Sequence, residues 1–253
     1  MPDLLTWFLV FLRAIGLLAV FPVFSASNMP VQIRVALAAL LSFLVSPLVS
    51  VAPFAVLDFW GVIGLMVVEI SFGLLLGFAS RMLFYAVEVA GGVISTEVGL
   101  MVPAGINPMS VSPTSEMATI LQYLAAMLFL TLNLHHGLLL AFQKSYQFLP
   151  MGGGHLRESL LLDVAGRTGH LFWFAVQVAA PILAVTFIIS LVFSVLGRAV
   201  PQMNVFVESF SVRLLAGITV FGLTCHLMAQ HIANYLHRLP DDVLRVAQLM
   251  GMR

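Results

Sequence analysis

Seven ionisable residues stand inside otherwise apolar sequence: Arg13, Glu69, Arg81, Glu88, Glu97, Glu208 and Arg213. A charge held at mid-bilayer against lipid costs at least about 3 kcal/mol, so such groups face protein or water. Three chemistries are open to them. They can pair within the chain or sit at helix ends; they can face partner subunits or an aqueous lumen, together with Arg198; or they can relay protons. Arg81 and Glu88 are seven residues apart, which puts them on one helix face, two turns apart.

The histidines are less suggestive. His135 and His136 are adjacent, so on a helix they point to different faces. His226, His231 and His237 are spaced by five and six, not by the four that a helical zinc site needs. Helix-end or interfacial placement is the expectation, with no metal or other cofactor. The single Cys225 excludes an intrachain disulfide. The chain holds no phosphate-binding loop, no G-x-S-x-G elbow, no dinucleotide fingerprint and no paired-cysteine metal pattern. It has no visible means of hydrolysing a nucleotide or doing covalent chemistry, so a non-enzymatic role is expected, and energy for any transport would come from elsewhere.

These groups are positioned by a greasy chain. Of its 253 residues 61% are hydrophobic and 9% charged, against about a quarter charged in a soluble domain; mean hydropathy is +1.07. Eleven basic residues balance eleven acidic ones, which leaves no excess to bind nucleic-acid phosphates. Uncharged runs at Val35–Leu57, Met117–Gln143, Thr168–Gly197 and Leu214–His237 exceed the roughly 20 residues that span a bilayer. The run Leu4–Phe24 is interrupted by Arg13, and Phe59–Ser80 carries Glu69. With Asp3 and no basic residue before the first run, the N-terminus reads as a membrane helix rather than a cleaved signal. In lipid the backbone must satisfy itself, and such runs do so as helices. The expected fold is all-α and integral to the membrane.

The punctuation predicts seven helices in a single domain, 1–253. Helix one ends near Phe21-Pro22, and Ser25–Pro30 is a turn. Helix two spans Val31–Val51, helix three Phe59–Ser80, and a less apolar helix four Arg81–Val98. Helix five spans Pro113–Phe142, with Ser112 as cap and Glu116 at the positive end of its dipole. Lys144–Gly169, with its three glycines and an amphipathic piece Leu156–Val164, is the main soluble excursion. Helices six and seven are His170–Leu196 and Val205–Arg238. Counting basic residues in alternate loops of a six-span arrangement, with Arg81–Val98 not a span, gives six against four, a weak orientation signal. No internal repeat is present. Gly73-Leu-Leu-Leu-Gly77 is a small-residue packing pattern, for a helix of this chain or of another.

The segment Val102–Pro113 holds three prolines and one glycine between two hydrophobic helices, flanked or joined by Met101, Met109 and Met117. An irregular stretch of this length is either functional or a plain surface loop. At membrane depth, irregular backbone is tolerated only when buried in protein or lining a cavity.

Three regions carry a family resemblance. Leu196-Gly-Arg-Ala-Val-Pro-Gln-Met-Asn-Val-Phe206, followed by Val212–Gly217, resembles the signature of the FliR/SctT export-gate family. Phe129-Leu-Thr-Leu-Asn-Leu-His-His136 and Phe148-Leu-Pro150 resemble its middle. Arg13-Ala-Ile-Gly16, Phe21-Pro-Val-Phe24 and Pro30-Val-Gln-Ile-Arg34 resemble its N-terminal part. The resemblance covers the chain in order. It implies a subunit of a flagellar, or injectisome, type III export gate in the bacterial inner membrane at the basal body. FliP and FliQ subunits would share a helical ring around a channel, with FlhA and FlhB beside it, membrane lipid around it and unfolded flagellar proteins as substrates. The family's helices need not cross the membrane conventionally. It also implies a channel plug near Pro103–Ser115, here Pro103, Gly105, Ile106, Asn107, Pro108, Met109, Ser110, Ser112 and Pro113. The competing reading from the residues alone is a small-solute secondary transporter with Glu69, Glu88 or Glu208 at a mid-membrane site; an intramembrane enzyme using histidines near Cys225 comes third.

Overall fold

A computed structural model describes residues 4–25, 29–49, 59–102, 114–153, 158–200, 202 and 204–251. The architecture is all-α, apart from one pair of two-residue strands. In chain order come α1 (Leu4–Val20), α2 (Pro22–Ser25), α3 (Val31–Val45), a 3-10 turn (Ser46–Leu48), α4 (Phe59–Val98), β1 (Met101–Val102), β2 (Thr114–Ser115), α5 (Glu116–Thr131), α6 (Leu134–Phe148), α7 (Glu158–Ala199), α8 (Val205–Leu236) and α9 (Leu239–Gly251).

Several boundaries differ from those expected, each for a local reason. Helix two stops six residues early because Pro47 removes a donor, leaving only the 3-10 turn beyond Val45. Helices three and four are one helix: α4 runs 40 residues through Arg81, since a charge inside an apolar helix does not break its hydrogen-bond ladder. It ends where Gly99, at φ 85°, adopts the left-handed conformation. The Gly99 and Leu100 amides then bond the Ser95 carbonyl at 3.0 and 2.8 Å, closing the helix end. Helix five is two helices bent by 73°. Asn133, at φ 56°, turns the chain between α5 and α6, a role that its short polar side chain tolerates. From Glu158 to Val164 the amphipathic piece is no separate excursion but the first turns of α7, a 42-residue helix, while Leu156 and Arg157 lie outside the described residues.

α9 was not anticipated. Its apolar residues Leu239, Val243, Val246 and Met250 fall at helical spacing and are buried, with Asp241 and Asp242 in its first turn.

Among the described residues four helices, or five if the bent α5–α6 pair is one span, are long and apolar enough to cross a membrane. At 1.5 Å per residue, α4 and α7 are each about 60 Å long. The hydrocarbon core is about 30 Å thick, so each is about twice as long as that core is thick.

The described residues group into two compact units. Unit 1 draws on Met1–Leu83, Leu132–Thr168 and His237–Arg253; unit 2 draws on Phe84–Thr131 and Gly169–Leu236. In unit 1, α1 packs against α3 and α6 against α9, over a core that includes Leu9, Val10, Phe21, Leu76 and Leu138. Asp163 and Arg167 at the start of α7 pair with Arg245 and Asp242 of α9, at 2.9 and 2.5 Å. In unit 2, α5 packs on α8, and Ile94, Leu121, Phe129, Ile182 and Ile232 are fully buried.

Helices in apolar surroundings gain by close backbone approach, for which glycine leaves room. Two adjacent glycines of α4 separate this use from mere tolerance. A Cβ on Gly91 would lie 2.2 Å from Ala118 Cα of α5, whereas one on Gly92 would meet nothing within 4 Å. Gly91→Ala is therefore expected to destabilise by about 1–3 kcal/mol. Gly92→Ala should stabilise by up to about 1 kcal/mol through helix propensity. Unfolding titrations in detergent that give both variants the same sign would disprove the crossing.

Candidate functional site

The densest polar chemistry lies inside unit 1. Arg13 of α1 and Glu69 of α4, 56 residues apart, are both fully buried. The Arg13 Nε donates to Glu69 Oε2 at 2.6 Å and its Nη2 to Oε1 at 3.1 Å, a two-pronged pair. The other guanidinium nitrogen, Nη1, donates to the Leu149 carbonyl at 3.1 Å and to Ser145 Oγ at 3.4 Å. Glu69 Oε1 also accepts the Gly152 amide at 3.2 Å. Tyr146 lays its ring 3.9 Å from the guanidinium carbon, and Phe72 lies 5.7 Å away on another side. The hydroxyl of Tyr146 has no partner among the described residues.

This arrangement follows from the backbones. A Cβ at Gly73 would stand 2.2 Å from the Arg13 carbonyl oxygen, and one at Gly77 2.7 Å from that of Leu17. The Gly73–Gly77 pattern is thus used within the chain, to seat α1 on α4. The turn Pro150–Gly153, with Gly152 at φ 70°, brings its amide to Glu69. Two oppositely charged groups held this way are a structural clamp. With every charged atom paired and no water-facing surface, the pair has no access for a substrate. Of the readings open for these ionisable groups, Arg13 and Glu69 show intramolecular pairing.

The remaining candidates are dispersed. Glu88 is exposed and accepts from Gln122 Nε2 at 2.9 Å. Glu97 accepts from Thr186 Oγ1 at 3.3 Å. Arg81 is half-buried on α4. Arg198 in the last turn of α7 and Glu208 in the first turn of α8 are exposed, each at the helix end whose dipole favours its sign. Arg213 reaches Ser209 Oγ at 3.4 Å, and its Nε has no partner among the described residues. Of the histidines, His231 shares a 3.1 Å hydrogen bond with Gln177 and stacks on Phe174, while His226 meets Gln230 at 3.0 Å. His135 and His136 bring their ring centroids within 4.2 Å of each other in the first turn of α6.

The proline-rich segment falls outside the described residues: Pro103, Gly105, Ile106, Asn107, Pro108, Met109, Ser110, Ser112 and Pro113 are all among those not described. Its two ends are described, and they are fastened. β1 and β2 pair antiparallel, Met101 opposite Ser115 and Val102 opposite Thr114. Ser115 donates to Ser95 Oγ at 2.8 Å and accepts the Ala118 amide at 3.4 Å, while Ser95 Oγ accepts the Met117 amide at 3.1 Å. Ser115 is therefore the cap of α5, which begins at Glu116 rather than Pro113. The described residues on either side of 103–113 are thus held together.

Sequence reasoning missed Ser145, Tyr146, Gly152, Ser95 and Ser115. The signal for Gly152 was present in its glycine run, but nothing local connects it with Glu69.

Taken together, this is an all-α membrane-embedded protein with a buried ionic clamp and a short strand pair fastened to the start of α5. Residues 4–239 match the family of bacterial export proteins, family 1. The chain belongs to that family. It is similar to the flagellar biosynthetic protein FliR of Escherichia coli, 27% identical over 94% of this chain and 92% of that one. The corresponding protein of Pectobacterium carotovorum is 28% identical over 96% and 95%, and that of Bacillus subtilis 26% over 96% and 95%. The resemblance read from the Leu196–Phe206, Phe129–His136 and N-terminal motifs is borne out.

Proposed function

We propose that this chain is a non-enzymatic subunit of the flagellar type III protein-export gate, and that it supplies part of the channel wall and the plug that closes it. The observation that carries this reading is end-to-end similarity to flagellar FliR proteins with no large unmatched region on either side. FliP and FliQ are the proposed ring partners, FlhA and FlhB the proposed neighbours, and unfolded flagellar proteins the cargo, in the bacterial inner membrane. Helices too long for the bilayer fit an assembly that rises beyond it. So do exposed side chains such as Phe187, Val195, Leu215 and Leu223, which sister subunits or lipid must cover.

Segment 103–113 is the proposed plug. The β1–β2 pair, with Ser95 and Ser115, would anchor both ends of such a plug. Sealing is required physically, because an open protein-wide pore dissipates the ion gradient. Deleting Asn107–Pro113 should leave the complex assembled and raise its ion conductance in proteoliposomes. Unchanged conductance in an assembled complex would overturn the plug. Purification of the chain as a monomer that binds a small solute would overturn the gate and favour a transporter.

A further inference from the structure

Close-packed interiors leave few voids larger than a water molecule. Unit 1 contains one of about 170 Å³ between α1, α3 and α6, walled by Ala14, Leu18, Leu37, Leu41, Leu138 and Phe142. We propose that this cavity is a slot for the acyl chain of a membrane lipid.

The walls decide the chemistry. Water held in a cavity needs two to four polar partners, and among the lining residues only His135 has a polar side chain; dry apolar cavities of about 150 Å³ take up benzene or xenon instead. A charged or polar ligand would lose its hydration without replacement. Hydrocarbon loses nothing on entry and restores the dispersion contacts that an empty void forfeits.

The apolar side chains that continue along α3 favour a chain over a compact molecule. Leu37, Leu41, Leu44 and Leu48 follow one another at intervals of four, three and four, a single stripe along α3 and its 3-10 turn. The first two line the cavity and are half-buried. The last two are 59% and 64% exposed. A linear hydrocarbon with its end in the cavity continues along the exposed half of this stripe. The helix that carries it, with its turn, is long and apolar enough to cross a membrane, and lipid hydrocarbon is the occupant that matches its chemistry. The slot is independent of the export role and stands or falls separately.

The test uses the full chain in its complex, reconstituted in vesicles of phosphatidylethanolamine and a phosphatidylglycerol carrying a diazirine at the end of one acyl chain. Illumination followed by peptide mapping should place label on Leu37, Leu41 or Leu138. The label there should vanish in Ala14→Leu, which fills the cavity, while label on the exposed face of α7 persists. Label confined to exposed leucines, or label at the cavity unchanged in a folded Ala14→Leu protein, overturns the slot. Should that variant fail to fold, xenon on the native chain replaces it. Xenon that saturates and displaces the label from the cavity supports the slot. Failure of xenon to bind, binding without any effect of or on lipid label, or a partner's side chain found in the cavity overturns it.

Discussion

Glu69→Leu is expected to destabilise unit 1 by about 3–5 kcal/mol, the usual cost of removing one partner of a buried ion pair. The reason is less the lost attraction than what is left behind. Arg13 is fully buried, and without the carboxylate its charge keeps only the Leu149 carbonyl and Ser145 hydroxyl as polar partners among the described residues. The Gly152 amide is orphaned at the same time. A loss of this size is a large part of the about 5–15 kcal/mol that typically holds a domain together. The double variant Arg13→Leu/Glu69→Leu removes both charges and should recover much of the loss, since apolar replacement of a whole buried pair is often neutral. Detergent unfolding titrations of the two single variants and the double one form the cycle. A coupling within a few tenths of a kcal/mol of zero would show that the pair does not act as a unit.

Gly73→Val should be at least as damaging, by a different route. Its Cβ would fall 2.2 Å from the Arg13 carbonyl oxygen, a backbone atom that cannot swing aside as a side chain can. α1 must withdraw from α4, and in doing so it pulls Arg13 off Glu69. Overpacking alone costs about 1–3 kcal/mol, and opening the ion pair adds to it. The two sites are therefore expected to be non-additive: Gly73→Ala in a Glu69→Leu background should cost less than in the native chain. Folded protein recovered at native yield from Gly73→Val, with an unchanged unfolding midpoint, would refute the close crossing of α1 and α4.

Both expectations concern residues that stand out in the sequence, yet their pairing does not. Arg13 and Glu69 are conspicuous as charges in apolar runs, but so are Glu88, Glu97 and Arg213, which the structure sends to Gln122, Thr186 and Ser209. Choosing among those partners requires knowing which helices approach closely. Gly73 and Gly77 announce a close approach without naming α1 as its object. Likewise the stops at Pro47 and Asn133 were legible in principle from residue type, whereas the joining of Phe59–Ser80 with Arg81–Val98 ran against a charge that looked like an edge.

What the amino-acid sequence determined alone was what depends on composition and near neighbours. Long apolar runs force helices in lipid, prolines and left-handed turns end them, and motifs in order mark the export family. Tertiary structure alone decided that an arginine near one end and a glutamate 56 residues on neutralise each other, and that Ser95 and Ser115 fasten the short strand pair to the start of α5. The division has one cause. Backbone hydrogen bonding in a helix is local, reaching four residues, but cancelling a buried charge depends on geometry that only the packed helices provide.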